Sequence, residues 1–350
     1  MESTSHAANL NCLRAFAVLA VAGYHGYNWH AHMHSEIVLV PPGGIFGQAG
    51  VLAFFVHTSL VLMQSLHRIA PPRRSLQFYI RRAFRIYPLS AFTVLTVLLL
   101  KIPAAPEIGQ PYHPFTPTAI AANLLLIQNV VSHSLVLNPL WSLPFEAQMY
   151  LVLPFLFLVA VKPRSGRTIL ALWFLSLLLG ILLRLWTGDA NLFTYVPCFL
   201  GGVYAYASRS DRRPEIPAVF WPVALLLWFR MVAQLLGIPS REIPVQGIAC
   251  LALGAAIPLF EDSRSRTFNA ITATIAKYSY GIYLCHIPVL WALHRVWTPQ
   301  HEFLGYVLWA CGTALTSVLL FHLVEDPMIR LGKRLAASLH PIRTPAPAEA

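Results

Sequence analysis

The chain has 350 residues, 57% of them hydrophobic and 11% charged, with a mean hydropathy of +0.60. Soluble domains carry roughly a quarter charged residues, so this composition excludes a soluble globular class. The formal net charge of +11 lies in short patches between apolar runs, which is how cytoplasmic loops of membrane proteins look and argues against a nucleic-acid surface.

In chain order, apolar runs fall at 10–29, 44–66, 87–102, 141–161, 168–186, 192–207, 216–236, 243–260, 275–297 and 303–324. A span needs about 20 apolar residues to cross about 30 Å of hydrocarbon. One further stretch, 118–131, is shorter and carries Asn123, Gln128 and Asn129, so it is expected to be re-entrant or interfacial. Basic residues cluster at 68–85, 162–167, 209–213, 264–266 and 330–334, whereas the intervening connections hold almost none beyond Arg241. These patches share one side only if 118–131 does not cross. The prediction is an all-α, polytopic membrane protein of the cytoplasmic (inner) membrane, with about ten transmembrane helices, one short re-entrant or interfacial helix and both termini cytoplasmic. Residues 1–335 form one transmembrane domain, and the Pro/Ala-rich 336–350 is expected to be a disordered tail. The N-terminus lacks the basic region of a cleavable signal, so the first apolar run is expected to be retained. The five cysteines form no CxxC pair and read as small buried residues.

Polar residues inside spans are costly and therefore functional candidates. Arg14 and His25 are eleven residues apart, about three turns plus 20°, so they share one face and lie about 16 Å apart along the helix axis. Arg14 falls toward the cytoplasm and His25 in the outer half; snorkelling and an interfacial polar tip are the structural alternatives. Arg81, Arg82 and Arg85 form the densest basic stretch, and guanidinium forks suit phosphate, with topology and anionic-lipid contact as the alternative. In Trp141-Ser142…Glu146…Tyr150 a carboxylate sits just inside a span at a depth like that of His25, where it can orient the imidazole or pair with Arg184 or Arg230. Ser279, Tyr283 and His286 share another helical face, which helix-packing hydrogen bonds also explain. His30, His32 and His34 alternate in the first outer connection. A spacing of two on a loop is weak evidence for ligation, and no metal is expected. A transporter or flippase would also use buried Arg, His and Glu, yet no internal repeat or inverted pair of broken helices is evident.

At these residues the sequence resembles the acyltransferase-3 family of membrane O-acyltransferases, which modify bacterial surface glycans and some secondary metabolites. The matching pieces, in family order, are Arg14 with His25, Gly50 to Val56 of the second span, Arg82 and Arg85 with Ile86 and Pro88, Trp141-Ser142-Leu143…Glu146…Tyr150, and Ser279-Tyr280…Tyr283…His286. Leu52, Thr58 and Ser59 depart from the family's acidic residue and Ser-Gly pair in the second span. The resemblance implies cytoplasmic acyl-CoA, most commonly acetyl-CoA, as donor and a hydroxyl of an extracytoplasmic glycan or glycosylated small molecule as acceptor. On that reading His25 is the general base, Glu146 orients it, and Arg14 positions coenzyme A or stabilises developing charge. Arg14, Arg81, Arg82 and Arg85 hold the phosphates, and Trp141, Ser142, Tyr150, Ser279, Tyr283 and His286 support the site. Expected partners are membrane lipids, acyl-CoA, the acceptor and, where acylation is indirect, a separate periplasmic protein; nucleic acid is not expected.

Overall fold

The computed structural model describes residues 7–34, 42–71, 73–188, 190–209, 214–236, 242–296 and 302–339. The chain is all-α. Ten long helices appear among the described residues: α1 (Ala7–Met33), α2 (Pro42–Arg68), α3 (Arg74–Leu100), α6 (Leu143–Ala160), α7 (Gly166–Thr187), α8 (Leu192–Ala207), α9 (Phe220–Leu236), α10 (Glu242–Ala256), α11 (Arg266–Val296) and α12 (Glu302–Leu320). Two short ones, α4 (Pro117–Leu124) and α5 (Gln128–Val131), follow α3, and α13 (Asp326–Ser338) ends the described chain. The only backbone pairing of strand type among the described residues is an isolated bridge between Ile216 and Phe260.

Length and burial sort the helices. Seven helical stretches are long and apolar enough to cross a membrane by length and composition, and α8 and α9 are shorter apolar helices. α11 has 31 residues and carries a polar face that turns inward. α2 is the central helix, with 72% of its most apolar window buried, against 22% for α7 and 17% for the α12–α13 stretch. Large apolar side chains on the outer helices, such as Trp186, Leu99 and Phe303, are more than 80% exposed. Only hydrocarbon solvates such a surface without cost, so the protein is a multi-pass membrane protein. The helices cross closely where small residues allow it. Gly202 of α8 leaves no room for a Cβ against the Val56 carbonyl of α2.

Several boundaries differ from the sequence reading. α3 begins at Arg74, not 87, because the arginine-rich stretch is good helix-forming sequence and simply adds turns to the span. The stretch 118–131 is two short helices; the eight residues of α4 reach about 12 Å, far less than the hydrocarbon core. Two of its polar residues, Asn123 and Gln128, are buried and tie it to neighbouring backbone. Asn123 Nδ2 donates to the carbonyls of Ala119 and Ser134, its Oδ1 accepts from Val136 N, and Gln128 Nε2 donates to the Leu140 carbonyl. The helix of the last span runs on past 324 through a π-type turn at Phe321–Glu325 into α13, so 336–338 are helical. Residues 340–350 of the expected tail, and Arg212, Arg213 and Arg241 of the charge pattern, lie outside the described residues.

One end of the bundle gathers the start of α1, the connection before α11 and the start of α3. There Asn9 N donates to Asp262 Oδ1 at 3.2 Å, Trp221 Nε1 donates to the Asn9 carbonyl, and Arg73 Nη1 donates to the Leu339 carbonyl. The opposite end joins the last turns of α1 and α11, where the rings of Trp29 and His294 lie 4.4 Å apart.

Candidate active site

α1 supplies both ends of the site, and its neighbours α2, α3, α6 and α11 supply the walls. Toward the start of α1, Arg14 Nε donates to Ser279 Oγ of α11 at 2.6 Å. Arg85 of α3 pairs with the buried Glu325 and lies over the Tyr280 ring, 5.6 Å from its centroid. Glu146 accepts from the Tyr150 hydroxyl at 2.5 Å, one helical turn away on α6. Arg14, Arg82 and Arg85 all act electrostatically on Glu146. Arg14, Arg85, Glu146, Tyr150, Ser279 and Tyr280 line a cavity of about 70 Å³. Three guanidiniums facing two carboxylates, Glu146 and Glu325, leave one positive charge in excess. Buried Nε atoms of Arg81 and Arg82 have no hydrogen-bond acceptor among the described residues. Buried donors of this kind suit an anionic group.

Eleven residues along α1 the chemistry changes. His25 is buried at 5% exposure, and its Nδ1 lies 3.1 Å from Oε1 of Glu107, which is fully buried. Asn138 Nδ2 donates to the same oxygen at 3.0 Å. A carboxylate only accepts, so Nδ1 carries the proton and Nε2 of His25 holds the lone pair. The His286 ring stands 5.1 Å from that of His25, centroid to centroid, and its Nδ1 donates to the Ile282 carbonyl. His25, Tyr24, Gln48, Asn138, Trp141 and Tyr195 line a second, larger cavity of about 300 Å³.

The two cavities have Val51 and Tyr283 as common walls. The Tyr283 hydroxyl donates to the Pro139 carbonyl at 2.6 Å. With its one proton so committed, it accepts from Ser142 Oγ at 2.7 Å. Tyr283 is thus a hydrogen-bonded partition between an arginine-lined chamber and an imidazole-lined one. Trp141 packs on Tyr195 and Phe145 at the edge of the larger chamber.

The sequence-predicted residues therefore meet, with one correction. Arg14, Arg85, Glu146, Tyr150 and Ser279 come together at one end, His25, Trp141 and His286 at the other, and Ser142 and Tyr283 between them. Arg82 joins the first group electrostatically, and Arg81 stands beside it on α3 without lining the cavity. Glu146 does not hold His25. It lies among the arginines and hydrogen-bonds Tyr150, while the carboxylate on His25 is Glu107. Sequence depth alone placed Glu146 near His25, but Glu107 reaches it from a connection that has no helical phase to read. A signal was present: Glu107 is the lone acid in an otherwise apolar Ala-Ala-Pro-Glu-Ile-Gly segment. The segment forms a 3-10 turn, Pro106–Ile108, closed by Gly109 at φ +74. A Cβ at Gly109 would stand 2.3 Å from the His32 ring, so glycine both permits the turn and lets it dock on α1.

Comparison with known proteins places the chain in a family. The acyltransferase domain family matches residues 7–322. The O-acetyltransferase OatA of Staphylococcus aureus is 25% identical over 97% of this chain. The match covers 60% of that protein, so the chain spans about three fifths of the length of this relative. Nodulation protein 10 of Rhizobium leguminosarum bv. viciae is 24% identical over 96% of this chain and 97% of its own length. No solved structure matches. With nearly the whole described helical domain matched, the chain belongs to the acyltransferase-3 family.

Proposed function

We propose that the protein is a membrane O-acyltransferase that takes an acyl group, acetyl in the first instance, from cytoplasmic acyl-CoA and delivers it to a hydroxyl of an extracytoplasmic glycan in the inner membrane. The observation that carries the reading is the His25–Glu107 contact at 3.1 Å, set in one chamber and adjoining a second chamber lined by Arg14 and Arg85. The residues fit the two halves of the reaction. Arg82 and Arg85, with Arg14 and Arg81, hold the donor's phosphates. His25 lies about 16 Å further along α1, within reach of a thioester on an extended pantetheine arm that passes Tyr283.

In the transfer step His25 Nε2 accepts the proton of the acceptor hydroxyl as its oxygen forms a bond to the thioester carbonyl carbon. The carbon–sulfur bond then breaks, and the imidazolium returns the proton to the departing thiolate. Glu107 keeps Nδ1 protonated and stabilises the transient imidazolium. Such general base catalysis supplies about 10²–10⁴-fold. An orientation with both termini cytoplasmic is supported by Arg73 and Arg330 lying near the arginine end of the site.

The test is His25→Ala in membranes supplied with radiolabelled acetyl-CoA and a panel of glycan acceptors. The variant inserts and accumulates like the parent but transfers no label. Undiminished transfer by this variant removes His25 from the chemistry.

A further inference from the structure

A second cluster of side chains stands at the His25 end of α1, outside both chambers, and the transfer reaction has no use for it. The sequence reading took His30, His32 and His34 as alternating residues of a loop. α1 instead runs through Met33, so the spacing that matters is four, and His30 and His34 fall on one face. Their ring centroids lie 4.3 Å apart. His32 points elsewhere, against Gly109. Glu302, the first residue of α12, faces the pair from a different helix. His30 Nδ1 is 3.5 Å from Glu302 Oε2, and His34 Nε2 is 2.5 Å from Glu302 Oε1. One ligand atom from each of the three residues lies within 4.8 Å of the others, the one such group among the described residues.

A separate contact prepares this cluster for ligation. His34 Nδ1 donates to the His30 carbonyl at 2.9 Å, which holds the ring with Nε2 turned toward Glu302; in the empty site Nε2 donates to that carboxylate, and a bound metal ion takes the place of its proton. Metal-bound imidazoles are held in this way, with the far nitrogen bonded to a carbonyl or carboxylate. Simple ion pairing uses the geometry less well. One carboxylate serves the two imidazole nitrogens unequally, at 3.5 and 2.5 Å, whereas one divalent cation is bound by both nitrogens and the carboxylate together.

We propose that His30, His34 and Glu302 form a binding site for a divalent transition-metal ion of the zinc class. Two imidazole nitrogens and one carboxylate oxygen are borderline donors suited to such an ion, with water completing a tetrahedron. The side chains of His34 and Glu302 are 40% and 54% exposed, so the ion is admitted directly from solution. The ion fastens the end of α1 to the start of α12. It lies five residues, about 7.5 Å, beyond His25 on the same helix and beside the His32–Gly109 contact that seats the Glu107 turn. Its role is therefore structural, and its occupancy does not depend on the acyl-transfer reading.

The full chain, purified in detergent without a polyhistidine tag and stripped with chelator, is titrated with zinc chloride by calorimetry and with cobalt chloride by visible absorption. We expect one ion per chain, a tetrahedral cobalt spectrum and a zinc-dependent rise in melting temperature. His34→Ala and Glu302→Gln each weaken binding by about tenfold or more and abolish the rise, while His32→Ala leaves the binding constant unchanged. Gel filtration confirms that each variant is folded, and His30→Gln serves as a third ligand variant should one of the first two aggregate. Zinc binding by the parent chain that is absent, or that persists unchanged in two folded ligand variants, overturns the proposal.

Discussion

Glu107→Gln isolates what the buried carboxylate does for His25. Glutamine keeps the volume, and its carbonyl oxygen can still accept from His25 Nδ1 and from Asn138 Nδ2, now 3.1 and 3.0 Å from Glu107 Oε1. The tautomer therefore survives and only the charge is lost. A hydrogen bond to a charged partner contributes about 1.5–3 kcal/mol. That contribution is largest when His25 is an imidazolium, so its loss falls on the transition state. At 1.36 kcal/mol per factor of ten, kcat should drop by roughly 10- to 100-fold. The assay is acetyl transfer in membranes at saturating donor, with the KM for acetyl-CoA measured beside it. Glu107 is buried behind His25, away from the arginines, so KM should stay within about twofold of the parent, the signature of a purely transition-state effect. Glu146→Gln is the contrasting variant, because Glu146 sits among the arginines and its loss should change donor KM. Full activity in Glu107→Gln, or a rise in KM with kcat unchanged, would refute the pairing of Glu107 with His25 as the basis of proton transfer.

Three other outcomes test the remaining parts of the site. Arg82→Ala should raise the KM for acetyl-CoA by about tenfold or more with kcat little altered, since one charge-assisted phosphate contact contributes about 1.5–3 kcal/mol; steady-state kinetics across donor concentrations decides it. Gly109→Ala should lower stability by about 1 kcal/mol or more, because alanine is strained at φ +74 and its Cβ meets the His32 ring. The melting temperature in detergent should fall and transfer activity with it, as the Glu107 turn shifts. Tyr283→Phe removes the hydroxyl that joins Pro139 and Ser142 and should cost about 1–3 kcal/mol of stability, because it leaves a buried carbonyl and hydroxyl without their partner. Unchanged melting in this variant would refute the hydrogen-bonded partition between the chambers.

Much of this protein was legible before any coordinates. The scarcity of charge over ten apolar runs set the membrane class, and the charge pattern kept 118–131 from being counted as a span. Helical phase was enough to put Arg14 and His25 on one face, and to group Ser279, Tyr283 and His286, because a period of 3.6 residues is a property of the local chain. The family resemblance rested on the same residues and is matched over 7–322.

Partners across helices were a different matter. Glu146 and Glu107 are both single acids near span ends, and only the packing of α1 against the Pro106–Ile108 turn selects Glu107 for His25. Arg85 gains its carboxylate from Glu325, 240 positions away, at a π-type turn with no sequence signature here. The His30–His34 pair acquires Glu302 only because α12 begins beside the end of α1. Periodicity carries information along one helix, whereas the choice among several equally suitable charged groups depends on which helices touch and at what depth. That is a property of the packed bundle, so the spans were written in the chain and the polar pairs of the candidate site were settled by tertiary contact.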